Sequence, residues 1–397
     1  MPRTRWIALC GLALVCAGVV GCQQGRPVKF GAVLPLTGPL EAYAVAIKRG
    51  IEIAYEQAQE DPRLERGITL EILDSETDPA KAAALLEDLY EGGALAAIGG
   101  VTSAEALQMV EVADEEERVL VSPSASSPEL TGMSRNFFRV FPSDFVEGTK
   151  MGSFAANTLK IETALILANE SPYGRGIQGV FKSELERHGG EVLEVIEFQS
   201  NTDLSGLVER VMTLKPDAVY LAAYWEDLVA LIRQLRGVGY EGKVLTTSAF
   251  ATAQAVARAG ESADGVIFTQ TIFDLATASG PIREFADTYQ LKYGESPDLY
   301  AAHGYDAMRV LVEALAEGGS QPNEFWKGMR GIRAMPGATG AIQFDEKGDV
   351  QKYPRVYVIR DGEPINYEQH VERIKRAFQE RMQEIEERQR RLRGNPN

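Results

Sequence analysis

Short apolar runs recur along the chain, each ending in a glycine, proline or hydroxyl-rich turn and followed by a longer segment whose apolar residues return every three or four positions. "VKFGAVLPLTG" (28–38) reads as a buried strand closed by a Pro/Gly turn, and "LEAYAVAIKRGIEIAYEQAQ" (40–59) as a helix with one apolar face. "GITLEILDSET" is the next strand. "DPAKAAALLEDLYEGG" follows as a helix opened by Asp78 and Pro79 and closed by glycine, and then "ALAAIGG" as another strand. "ERVLVSPSA", "TALILANESPYG", "EVLEVIEF", "DAVYLAAY", "GKVLTTSAF" and "ADGVIFTQT" continue the series, with helical patterns between most of them. Strand and helix in alternation specify an α/β fold whose parallel sheets are covered by helices on both faces.

The first two dozen residues break this pattern. Arg3 and Arg5 precede an apolar run from Trp6 to Val20 that ends in Val19-Val20-Gly21-Cys22. A run this short falls below the ~20 residues a membrane span needs. Its flanks predict a lipoprotein signal peptide over residues 1–21, with Cys22 as the lipidated first residue of the mature chain. Of the three cysteines, Cys10 and Cys16 lie inside that signal. The mature protein keeps no pair for an internal disulfide, so stability has to come from its core; about 370 residues suffice for two domains.

Charge removes some partners. The formal net charge is −16, and losing Arg3 and Arg5 with the signal makes it two units more negative. Such a surface repels nucleic acid and anionic lipid, which leaves the lipid on Cys22 as the expected membrane contact.

Ligands of open parallel sheets bind beyond the carboxyl ends of the strands, where loops run into helix N-termini. "AAIGGVTSAEALQMV" (96–110) has this form: a strand, two glycines, two hydroxyls and a helix whose first N–H groups suit a carboxylate or phosphate. Thr102 or Ser103 also has the residue type of a plain N-cap. In "VLVSPSASSPELTG" (119–132) a second strand end carries Ser122, Ser124, Ser126 and Ser127. Two adjacent strand ends tipped with hydroxyls make a polar pocket, although Ser/Pro segments of this kind also serve as flexible loops.

With "GAVLPLTGPLEAYA", "IGGVTSAEA", "VSPSASSPELT", "FRVFPSD", "SPYGRG", "PDAVYLAAY", "GYDA" and "GATGAIQFDEKGDVQKY" in this order, the chain from about Val28 to about Ile365 resembles the type I periplasmic solute-binding proteins. The resemblance is strongest to the leucine/isoleucine/valine-binding family that feeds ABC importers. It implies two Rossmann-like lobes joined by three crossovers near 141–143, 270–273 and 352–356, closing by a hinge on a ligand between them. Residues 22–26 would be the lipidated N-terminus and linker. Residues 27–141 and 274–352 would form one lobe, and 142–273 and 353–366 the other.

The resemblance also assigns roles. Ser103 matches the position whose hydroxyl and N–H hold a ligand α-carboxylate, Ser126 one that contacts both carboxylate and ammonium, and Ser124 one that lends its backbone carbonyl. Tyr43, Tyr173 and Tyr224 match pocket tyrosines, and Tyr300 an aromatic lining the side-chain pocket. Each of these tyrosines is equally of a type found partly buried in ordinary cores. The acidic residue that pairs with the ligand ammonium falls on Ser248, which cannot supply that charge. Glu226, Asp227, Glu41 or Asp144 then serves instead, or the ligand is not an α-amino acid but an amide, urea or an aromatic acid.

The implied function is capture of a small polar solute, an amino acid or related carboxylate, for an ABC permease, by an exported protein. The anchor would lie on the outer face of the cytoplasmic membrane or on the outer membrane facing the periplasm. A lipid-anchored sensor built on the same clamshell is the competing function. No enzyme activity, metal or cofactor is expected. His188, His303 and His370 are far apart in sequence, and no G-x-S-x-G, H-E-x-x-H or P-loop pattern occurs. Beyond the resemblance, residues 367–397 read as a charged helical extension with Val371, Phe378, Ile385 and Leu392 seven apart. Arg381 and Arg388 at the other core position argue against a stable coiled coil.

Overall fold

The computed structural model describes residues 26–393 except 201, 274, 276 and 277. The expected signal peptide and Cys22 lie outside the described residues. The first part of the chain forms β1 (Val28–Leu34), α1 (Glu41–Ala58), β2 (Ile68–Asp74), α2 (Pro79–Glu91), β3 (Ala96–Gly99), α3 (Ser103–Glu115), β4 (Val119–Ser122) and β5 (Phe137–Arg139). Next come α4 (Asp144–Asn157), β6 (Thr163–Asn169), α5 (Pro172–Arg187), β7 (Glu191–Phe198), α6 (Ser205–Leu214), β8 (Ala218–Ala222), α7 (Trp225–Gly237), β9 (Lys243–Thr246), α8 (Ala253–Ala259) and β10 (Ile267–Gln270). The remainder is α9 (Pro281–Tyr293), α10 (Leu299–Gly318), α11 (Pro322–Gly331), β11 (Met335–Gly337), β12 (Gly340–Ile342), β13 (Arg355–Arg360), β14 (Glu363–Asn366) and α12 (Tyr367–Arg393).

Two lobes each carry a sheet. The first sheet has the order β2-β1-β3-β4-β5 and is parallel throughout. The second runs β14-β13-β10-β9-β8-β6-β7. Both repeat one winding, in which the chain starts beside the middle, steps outward once and then crosses to the other side. In each lobe that creates a switch point between the first and third strands of the winding, where the loops diverge and leave a crevice.

Strand alternation explains the layering. Phe30, Ala32 and Leu34 of β1, Ile98 of β3 and Val119 and Val121 of β4 join the core that includes Ile47 and Ile51 of α1 and Met308 of α10. Their neighbours Val33, Ala97 and Leu120 point the other way, into a core with Leu86 and Leu89 of α2 and Met109 of α3. Both faces of the sheet are therefore covered, which is why these strands read as continuous apolar runs. On the first face α1 and α10 touch backbone to backbone: a Cβ on Gly50 would collide with Ala301 O, and one on Gly304 with Ile47 O. Glycine at both positions is a condition of that crossing.

The sequence reading expected only parallel strands and missed five strands. β13 pairs antiparallel with β10, and β14 antiparallel with β13. The turn between them is Asp361-Gly362, both at positive φ, the two-residue hairpin geometry that Asp-Gly favours. β5 has three residues, and β11 and β12 form a separate antiparallel pair. α12 starts against β13 and β14, where the Tyr367 ring meets Phe154 at 4.8 Å. Further along, Ile374, Phe378, Met382 and Ile385 are exposed.

Candidate functional site

The loops after β3 and β4 are stitched together by their own hydroxyls. Ser122 Oγ donates to Gly100 O at 2.8 Å and Ser124 Oγ to Val101 O at 2.7 Å, while Ser127 N–H donates to Ser103 Oγ at 3.1 Å. Gly100 stands at φ 68°, where a Cβ would press on Ala106 at the start of α3. Cap and site roles are split between neighbours. Thr102 Oγ1 accepts from Glu105 N–H, and the Glu105 carboxylate takes the Thr102 N–H and the Ser75 hydroxyl, a complete capping box. That leaves Ser103, the first residue of α3, to face the crevice. The T-x-x-E spacing in "TSAE" carries the signal for the division.

The second lobe contributes the loops after β6, β8 and β9, which carry Tyr173, Tyr224 and Ser248. The Tyr173 and Tyr224 rings stack at 5.3 Å, and the Tyr173 hydroxyl lies 2.5 Å from Thr247 Oγ1. Tyr300, in the first turn of α10, packs at 4.6 Å on Tyr43 and donates to Ser248 O at 3.3 Å. All eight of the non-covalent site residues expected from the sequence, Ser103, Ser124, Ser126, Tyr43, Tyr173, Tyr224, Ser248 and Tyr300, line one cavity between the lobes. Leu40, Val101, Phe141 and Ala249 complete its apolar wall.

The cavity measures about 30 Å³, room for about one or two waters. The lobes are shut on it. Tyr43 in α1 of the first lobe donates to Ala249 O at 2.9 Å and accepts from Trp225 N–H at 2.9 Å, both in the second.

Two acids missing from the eight stand directly behind the wall, in the first turn of α4. Glu147 is buried and accepts three hydrogen bonds: Ser248 N–H at 2.6 Å and Thr269 Oγ1 at 2.8 Å on Oε1, and Ser248 Oγ at 2.8 Å on Oε2. Burial raises its pKa, against the pull of those donors. Position 248 carries no acid, yet a carboxylate is bound to it. Asp144 is fully buried, and neither carboxylate oxygen has a well-formed hydrogen bond among the described residues; the Ser126 hydroxyl is the nearby donor that opposes the effect of burial. Its backbone N–H donates to Ser126 O at 2.8 Å, tying it to the cavity wall. Burial pushes its pKa well above the carboxylate range, and the charge of Glu147 pushes it further. The other three substitute acids lie elsewhere. Glu41 and Glu226 line an outer groove, and Asp227 accepts from Ser200 Oγ at 2.6 Å beside a separate side pocket.

His303 does not reach the cavity. It is buried behind it, its ring 4.6 Å from Phe141 and its Nε2 3.2 Å from Thr271 Oγ1, and burial holds its pKa well below the usual value. Around it two buried cations tie distant parts of the chain together. Lys352 Nζ reaches Val140 O at 3.3 Å and Asp306 Oδ2 at 3.6 Å, and Arg139 grips Asp349 with Nε–Oδ1 at 2.7 Å and Nη2–Oδ2 at 2.9 Å. No cluster of three or more His, Cys, Asp or Glu suited to a metal occurs among the described residues, and no helix there is long and apolar enough to cross a membrane.

The family described as periplasmic binding protein matches residues 27–362. A leucine-, isoleucine-, valine-, threonine- and alanine-binding protein of Pseudomonas aeruginosa is 24% identical over 335 residues, 82% of this chain and 88% of that protein. The crystal structure of a leucine-binding protein, LivK, of Thermotoga maritima is 29% identical with a TM-score of 0.81, over 85% of this chain and 97% of that one. LivJ of Streptococcus pneumoniae, solved in complex with isoleucine, is 22% identical with a TM-score of 0.80, over 85% and 98%.

Proposed function

The chain belongs to the periplasmic binding protein family, and on that premise we propose that it captures an amino acid or amino-acid-like carboxylate between its lobes for delivery to an ABC permease. The observation that carries this reading is the cavity at the two switch points, lined by Ser103, Ser124 and Ser126 from one lobe and by Tyr173, Tyr224 and Ser248 from the other. Ser103 stands at the N-terminal turn of α3, where N–H groups and the helix dipole favour a carboxylate. Tyrosines and Leu40 offer apolar surface for a side chain. The relatives that bind leucine, isoleucine and valine support an aliphatic amino acid as the ligand class.

Because the lobes are bridged shut over the cavity through Tyr43, binding proceeds through parting and reclosure of the lobes about the three crossovers near 141–143, 270–273 and 352–356. Segments 27–141 and 274–352 move as one body, and 142–273 and 353–366 as the other. The protein is exported and held to a membrane by lipid on Cys22. It does no chemistry on its cargo.

A thermal-shift screen across amino acids, amides and aromatic acids tests the ligand class. A ligand at 100 times its Kd adds ~2.7 kcal/mol to the folded state. Stabilisation by leucine, isoleucine or valine is the expected result; stabilisation by amides or aromatic acids alone would overturn the amino-acid assignment.

A further inference from the structure

The directions of the hydrogen bonds around the cavity sort its hydroxyls into two kinds. Ser103 Oγ accepts the Ser127 N–H, so its own proton is turned away from that neighbour and available to an acceptor. Ser248 is the reverse. A serine hydroxyl owns one proton, and that of Ser248 is given to Glu147 Oε2 at 2.8 Å. Glu147 is held in the accepting role by two more donors, the Ser248 N–H and the Thr269 hydroxyl, both on Oε1. Towards the cavity Ser248 therefore presents lone pairs only, on an oxygen made more negative by the carboxylate behind it.

We infer that Glu147 is the residue by which this site selects a ligand carrying a donor-only cationic group: acting through Ser248, it fixes that end of the cavity as an acceptor, opposite the donor end at Ser103. The inference rests on the amino-acid reading above and deepens it, naming the ammonium as the group read at Ser248 and Glu147 as the positioning residue. A ligand with a second acceptor at that end would meet lone pair against lone pair and leave both unpaired in a buried site, which is the strongest basis for rejection a polar pocket has.

The test compares two probes of the same shape, L-leucine and 4-methylpentanoate, which is leucine without its amine. Affinities are measured by calorimetry for the wild type, Glu147→Gln and Ser248→Ala, with thermal unfolding of each. The wild type should prefer leucine. Glu147→Gln and Ser248→Ala should each reduce that preference by about tenfold or more, the scale of one hydrogen bond to a charged group, while 4-methylpentanoate holds its affinity or gains. A structural role alone would weaken both probes in parallel, and that result, or an unchanged preference in both variants, overturns the inference while leaving the function intact. Ser248→Ala keeps the backbone N–H on Glu147, so it decides the matter even if Glu147→Gln does not fold. A wild type that binds 4-methylpentanoate but not leucine, or neither, overturns the amino-acid reading and the inference together.

Discussion

The Tyr43 hydroxyl accepts the Trp225 N–H across 2.9 Å, joining helix α1 of one lobe to the first residue of α7 in the other. The same oxygen donates to Ala249 O, so one atom satisfies two backbone groups that closure would otherwise bury without partners. Tyr43→Phe should cost the closed state about 1–3 kcal/mol and lower ligand affinity roughly 5- to 150-fold. Small-angle scattering should show a larger radius for the variant at a ligand concentration that closes the wild type. Equal radii and equal affinities would show that closure does not depend on this bridge.

Ser103→Ala and Ser126→Ala should each weaken leucine binding by about 1.5–3 kcal/mol, the range for a hydrogen bond to a charged group. Ser103→Ala also strips the buried Ser127 N–H of its acceptor, so its melting temperature should fall without ligand. Calorimetry separates the two effects. A variant that loses stability but keeps its affinity would assign Ser103 to the loop and not to the ligand.

Asp144→Asn should trade binding for stability. The folded-state pKa values of Asp144 and Glu147 are both raised, so the folded chain holds these protons more tightly than the unfolded chain does. Their contribution to stability is then fully present below the unfolded carboxyl pKa of about 4 and is lost as pH climbs through the higher folded values. Removing one charge should stabilise the ligand-free protein at pH 8 by on the order of 1–3 kcal/mol, and by less at pH 5. Melting temperatures at the two pH values check the sign. A variant destabilised equally at both would mean that the Asp144 carboxylate is paired in solution.

Cys22→Ala should move the protein from the membrane to the soluble exported fraction, or leave the precursor uncleaved, as fractionation and mass of the N-terminal peptide will show. A cleaved Cys22→Ala product that stays on the membrane would exclude lipid as the anchor.

Much of this was legible before any coordinates because a strand covered on both faces writes a continuous apolar run, and its carboxyl end writes the polar residues that follow. Thr102 or Ser103 and Ser122, Ser124, Ser126 and Ser127 stand out that way, and the resemblance selects Ser103, Ser124 and Ser126 among them and adds Ser248 and the tyrosines. Glu147 was not found. It lies inside a helix, a turn past the strand ends, and touches the site only through Ser248, a neighbour 101 positions away; nothing local distinguishes it from the acids of any exposed helix. β13 and β14 escaped for a different reason. "RVYVIR" follows no helix and continues no alternation, and only the Asp361-Gly362 turn announced a hairpin.

The first lobe is closed by a helix made long after its sheet. Arg63, just past α1, is held by Glu313 of α10 at 3.1 Å, 250 positions further on. At the usual 5–20 residues per second, that separation is roughly 10–50 s of synthesis. Through that interval Ile47, Ile51 and the sheet face beneath them have no α10 to cover them, however well the middle of the chain has collapsed. Bringing so distant a segment back costs little at equilibrium, about 0.6 kcal/mol per doubling of the loop, but it slows the search. A nascent chain of this design stays unfinished until α10 has been made, and a chain cut short before α10 leaves the ribosome with an apolar face and nothing of its own to put on it.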